Sequence, residues 1–79
     1  FYTYILKSLK TGRYYYGATS DIEKRLSCHN NGEVRSTKGS RPWKLHYFES
    51  FTSKSDAFEK EKFFKTIEGY LYLKKRGII

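Results

Sequence analysis

The sequence predicts one small α/β domain of the α+β kind, in the order hairpin, helix, loop, strand, helix. Three observations carry that reading. Residues 1–8 and 14–19 are rich in β-branched and aromatic side chains and flank a short turn at Gly12. Helix-start patterns occur at Ser20 and at Ser53. Between them, residues 43–51 form a third strand-like run. The chain has 79 residues, enough for one domain and not for two. A domain of this size buries only about 60% of the surface its unfolded chain exposes, so its core needs large side chains. Eight Tyr, six Phe and one Trp supply them. The phenolic hydroxyls want partners or a wet edge, which points to a cleft as well as a core.

Taken in order, residues 1–8 form the first strand. Lys10-Thr11-Gly12-Arg13 turns the chain, because Gly12 tolerates positive φ. Residues 14–19 return as the second strand. Ser20-Asp21-Ile22-Glu23 is a capping-box pattern, with the Ser20 oxygen accepting an early helix N–H and Glu23 reaching back. The helix is expected from about Asp21 to Asn30, and Asn30-Asn31-Gly32 stops it. Residues 31–42 are polar, end at Pro42 and read as a loop bearing Arg35, Lys38 and Arg41. Trp43 to Phe51 is the third strand, with Trp43, Leu45 and Tyr47 on one face. A second helix starts at Ser53-Lys54-Ser55-Asp56, where Asp56 favours the positive helix end. It is expected to reach about Thr66, with Gly69 as the interruption. Tyr70 to Arg76 fits either a short helix or a packed tail.

Sixteen Lys and Arg against eight Asp and Glu give a formal net charge of +8. That excess favours a polyanionic partner through counterion release, and interleaved aromatics favour nucleic acid among polyanions. A membrane partner is not expected. No helix pairs a pure basic face with a broad apolar one, and no apolar run approaches a membrane span or signal peptide. The single Cys28 forms no internal disulfide, and one Cys with two His makes no structural zinc site. A cytoplasmic, reduced setting is expected. The chain lacks Met, so Phe1 is expected not to be its native first residue.

Five residues stand out chemically. On the first helix, Arg25 and His29 are four apart and flank the apolar stripe of Ile22 and Leu26. Arg25 either enters a cleft or extends its stem over apolar surface to water. From pattern alone, His29 reads as a surface or capping histidine near the helix end. Glu61 shares a helix face with Ala57 and Phe64, beside Phe58. A carboxylate on an apolar face needs a partner. That partner is either a Lys or Arg or a hard divalent cation such as Mg²⁺. Tyr4 and Tyr15 sit on the two hairpin strands, where they can be cross-strand neighbours or plain sheet packing. Gly17 leaves room for a close approach, by a substrate or by the following helix. His46 reads as structural. Cys28 and His29 are adjacent in the helix and do not face each other.

In order and spacing these residues resemble the GIY-YIG nuclease domain, over nearly the whole chain. Tyr2-Thr3-Tyr4 stands at the first motif, without its leading Gly and central Ile. Tyr15-Tyr16-Gly17 stands at the second, with Tyr16 for Ile. Asp21 to Leu26 with His29-Asn30 is similar to the family's first helix. Thr37 to Leu45 resembles the entry to the third strand, and Ala57 to Lys65 the helix with the metal-binding glutamate. The resemblance implies a small three-stranded antiparallel sheet flanked by helices. It implies a metal-dependent DNA endonuclease, with RNA not excluded, that hydrolyses phosphodiester bonds. In that reading Glu61 binds Mg²⁺ or Mn²⁺ and Arg25 steadies charge at phosphorus. Tyr4, supported by Tyr15, orients or deprotonates the attacking water. His29 moves a proton or holds a phosphate. Lys24, Arg35, Lys38, Arg41 and Lys44 hold flanking backbone. The alternatives are a non-catalytic nucleic-acid-binding module on the same fold and a basic protein-interaction domain.

Overall fold

The structure, a computed structural model, describes residues 1–79. Strands β1 (Tyr2–Ser8) and β2 (Tyr14–Thr19) form the hairpin, followed by helix α1 (Ile22–Asn30). A 3₁₀ turn at Lys38–Ser40 leads into β3 (Trp43–Ser50), and helices α2 (Lys54–Phe64) and α3 (Ile67–Lys75) complete the chain. The sheet order is β2-β1-β3, with β1 antiparallel to both neighbours. The expected three-stranded antiparallel sheet with flanking helices is therefore present.

Period-two alternation splits β1 between two faces. On one face Tyr4 and Leu6 pack with Trp43, joined by Tyr15, Leu26 of α1 and Leu45. On the other, Ile5 packs with Phe64 of α2 and Leu73 of α3, surrounded by Tyr14, Tyr16, Tyr47, Phe63 and Tyr72. Thr3 donates to the carbonyl of Ala57 at 2.6 Å and so ties β1 to α2. The hairpin turn forms as expected. Gly12 has φ +78°, and the Ser8 hydroxyl oxygen accepts from the amides of Lys10 and Thr11.

Three local expectations are corrected. The N-cap of α1 is Asp21, not Ser20: its carboxylate accepts from the Lys24 amide at 3.1 Å, starting the helix one residue later. Tyr47 does not share a face with Trp43 and Leu45. Tyr47 pairs with Ile5 but Leu45 pairs with Leu6, so His46 is an extra residue in β3 and the alternation flips there. His46 itself is structural, bonded through Nε2 to the carbonyl of Ile78. The helix break lies at Lys65–Thr66, not at Gly69. Thr66 caps α3 by accepting from the Gly69 amide at 3.0 Å. Gly69 sits inside α3, where a Cβ would come within 1.8 Å of the Phe63 carbonyl oxygen. Of the two forms open to Tyr70 to Arg76, the structure has the helix, since α3 covers most of that segment.

Candidate active site

The candidate residues on the first sheet face converge through backbone placement. Register sets Tyr4 opposite Gly17 and Leu6 opposite Tyr15, so Tyr4 and Tyr15 are diagonal neighbours on one face. A Cβ on Gly17 would lie 2.4 Å from the Tyr4 hydroxyl. The room that Gly17 leaves is thus filled by the Tyr4 ring, neither by substrate nor by the next helix. Helix α1 crosses this face and delivers Arg25 and His29 from the same side.

His29 is fully buried, against the surface position its place near a helix end suggested. The turn after α1 folds back over it. His29 Nε2 lies 3.1 Å from the Tyr4 hydroxyl, and His29 Nδ1 lies 2.8 Å from the Thr37 hydroxyl. The Tyr15 ring meets the imidazole edge-on at 4.8 Å between centroids. No buried side-chain polar atom here is left without a partner. Asn30 closes the frame: its side chain accepts from the Trp43 amide at 2.7 Å and donates to the Trp43 carbonyl at 2.9 Å. Trp43 Nε1 donates to the Thr37 carbonyl at 2.9 Å.

Burial sets the protonation states. Loss of water pushes the His29 pKa down to about 4, and the Arg25 charge pushes the same way, so the imidazole is neutral near pH 7. Burial raises Tyr4 above its usual 10, opposed by the adjacent Arg25 guanidinium and assisted by Tyr15 and Glu61. Arg25 is raised in turn by the Tyr4 hydroxyl beside it and stays charged. Two ion pairs exist, Lys60–Glu49 and Lys65–Glu61, and Arg25 belongs to neither. A half-buried guanidinium with no carboxylate is a ready site for an anion.

Glu61 reaches this centre from α2, within electrostatic range of Tyr4. Its side chain is 18% exposed, and its partner is Lys65, 2.7 Å away and one turn on. No three His, Cys, Asp or Glu side chains come together as a metal cluster. A single hard carboxylate nonetheless fits Mg²⁺, which keeps several waters and takes phosphate oxygens as ligands. The half-exposed Lys65 ammonium is free to move aside for it.

The basic candidates divide. Arg35, Lys38 and Arg41 line one concavity of about 700 Å³ with Asn30, Gly39 and Pro42, and the structure adds Lys10 from the hairpin turn. No acidic side chain lines it. Arg41 is held by its Nε donating to the Lys38 carbonyl at 2.9 Å. Lys24 is exposed on α1 outside this concavity. Lys44 pairs with Lys7, one residue past Trp43, and so lies on the opposite sheet face. Sequence reasoning missed Thr37, Asn30 and Lys10 as members of this region, because their partners are 8 to 29 residues away, with no periodic signal to link them.

A family model described as the GIY-YIG catalytic domain matches residues 1–71. The chain belongs to the GIY-YIG family. A UPF0213 protein of Bacillus licheniformis is 41% identical over 81 residues, covering 95% of this chain and 82% of its own. One from Staphylococcus saprophyticus is 45% identical over 74 residues, covering 92% and 89%. One from Clostridium perfringens is 43% identical over 67 residues, covering 84% and 71%. No solved structure matches the chain. The GIY-YIG domain is a nuclease fold, and nuclease domains of this family act on nucleic acids. No helix of this GIY-YIG protein is long and apolar enough to cross a membrane.

Proposed function

We propose that this GIY-YIG domain is a divalent-metal-dependent endonuclease that hydrolyses phosphodiester bonds of DNA. The observation that carries the reading is the buried line Tyr4–His29–Thr37 beside Arg25, which no carboxylate pairs. No carboxylate neutralises that guanidinium, and the imidazole near it is buried in its neutral form. A reaction on a phosphate uses both.

The roles follow from the chemistry of each group. Arg25 binds the scissile phosphate and stabilises the negative charge that builds on it. Tyr4 keeps its proton at rest and shares it with His29, so its oxygen can orient a water and take that water's proton as its own passes to Nε2. Neutral His29 is able to receive it. Tyr15 packs against the imidazole and holds its ring plane. Glu61 would hold Mg²⁺ or Mn²⁺, which supplies Lewis-acid polarisation of the phosphate. Lys10, Arg35, Lys38 and Arg41 would grip the backbone beside the cut.

The Glu61–Lys65 pair favours a second reading, a binding module in which the carboxylate serves only as a partner for lysine. The test is cleavage of labelled duplex, branched and single-stranded DNA with Mg²⁺ or Mn²⁺, for the natural sequence and Glu61→Gln. The nuclease reading expects cutting that disappears with the substitution and with chelator. No cutting on any substrate, with salt-sensitive DNA binding intact, would favour the binding module.

A further inference from the structure

We propose that Thr37 is a positioning residue. Its hydroxyl accepts from His29 Nδ1–H and so fixes the imidazole in the tautomer whose Nε2 lone pair faces the Tyr4 hydroxyl. The proposal rests on the reading of Tyr4 as the group that takes the proton from water, and its test separates the two.

A neutral imidazole carries one proton, and the partner of each nitrogen decides where it sits. Two arrangements fit the distances around His29. In one, Thr37 donates to Nδ1, and Nε2–H points at the Tyr4 oxygen. In the other, Thr37 accepts from Nδ1–H, and Tyr4 donates to Nε2. Only the second lets Tyr4 pass its proton to His29.

The surroundings of Thr37 favour the second. Its hydroxyl has one hydrogen, and the Val34 carbonyl oxygen lies 3.3 Å from Oγ1. A carbonyl only accepts, so that bond uses the hydroxyl hydrogen and leaves lone pairs for His29 at 2.8 Å. Thr37 is 1% exposed, so water does not compete. The hydroxyl is also held in place. The Thr37 amide donates to the same Val34 carbonyl at 3.1 Å. The Thr37 carbonyl accepts from Trp43 Nε1, and Asn30 clamps Trp43 back to the end of α1. Helix and loop therefore form a closed frame with His29 and Thr37 facing each other inside it.

Thr37→Val keeps the shape and removes the hydroxyl. An Nδ1–H would then be buried without an acceptor, which costs more than moving the proton to Nε2, where the Tyr4 oxygen can accept it. Tyr4 then receives a hydrogen bond from His29 and has no acceptor there for its own proton. Thr37→Ser keeps the hydroxyl and serves as the rescue.

The experiment is a ¹H–¹⁵N correlation of the imidazole nitrogens in the free protein, with single-turnover DNA cleavage in parallel. His46 is the only other imidazole and is assigned with His46→Gln. We expect a protonated-type Nδ1 and an unprotonated-type Nε2 for His29 in the natural sequence and in Thr37→Ser. Thr37→Val reverses that pattern and slows cleavage about ten- to a hundredfold, the usual range for groups that orient a reactive ligand or base. An Nε2–H tautomer in the natural sequence overturns the proposal without any variant. So does an unchanged tautomer in Thr37→Val, or a reversed one with cleavage intact. A reversal in Thr37→Val when the natural sequence cuts no DNA overturns the nuclease reading and upholds the tautomer assignment.

Discussion

Acid should unfold this domain through one residue more than through any other. His29 is fully buried, and its pKa falls from 6.5 to about 4 on folding. Between those values the unfolded chain binds a proton that the folded chain does not. Stability is therefore complete above pH 6.5 and is lost as pH falls toward 4, below which this contribution is flat. The loss between about pH 7 and pH 4 is roughly 3 kcal/mol, from a shift of this size at about 1.4 kcal/mol per unit. That is a large part of the roughly 4–12 kcal/mol expected for a domain of this length. The assay is urea unfolding across that range for the natural sequence and His29→Gln. Glutamine loses stability at every pH but does not titrate, so its curve should lack the extra 3 kcal/mol or so of acid loss. Acidic groups contribute alike to both proteins. Parallel pH curves would refute the argument, since they would mean that His29 titrates in the folded state much as it does unfolded.

Two other sets of substitutions probe the geometry. Gly17→Ala places a Cβ 2.4 Å from the Tyr4 hydroxyl, so the ring must move by about 1 Å. Single-turnover cleavage should fall about a hundredfold, with a stability loss of roughly 1–3 kcal/mol by thermal unfolding; an unchanged rate would remove Tyr4 from the reacting atoms. Replacing Lys10, Arg35 or Arg41 with Ala should lower the slope of log affinity against log salt by about 0.9 for each phosphate that is no longer neutralised. Lys44→Ala, on the far face, should leave that slope unchanged, as read by DNA-binding titrations at several salt concentrations.

The hairpin, the three strands and the two capped helices were legible because each is written locally, in Gly12, in the Ser53 cap and in the apolar runs. Helix period put Arg25 and His29 on one side of α1, but only the resemblance to the GIY-YIG domain grouped them with Tyr4. What escaped depends on residues distant in sequence. The extra residue at His46 moves Tyr47 to the other face, and no local pattern marks it. Gly69 reads as a breaker in sequence, yet it is needed because α3 packs against the last turn of α2. His29 looks exposed on its own helix, and only the return of Thr37 over that helix end buries it. Lys44 is adjacent to Trp43 in sequence and opposite to it across the sheet.

In the proposed mechanism the Tyr4 hydroxyl takes part in cleavage and does more than fill the space above Gly17. The most direct test of that role is single-turnover cleavage by Tyr4→Phe, with DNA affinity measured on the same preparation. The substitution removes one oxygen and keeps the ring that packs with Leu6 and Trp43. The expected rate is lower by about a hundred- to ten-thousandfold, at unchanged affinity. Cleavage by Tyr4→Phe at the natural rate would contradict that role.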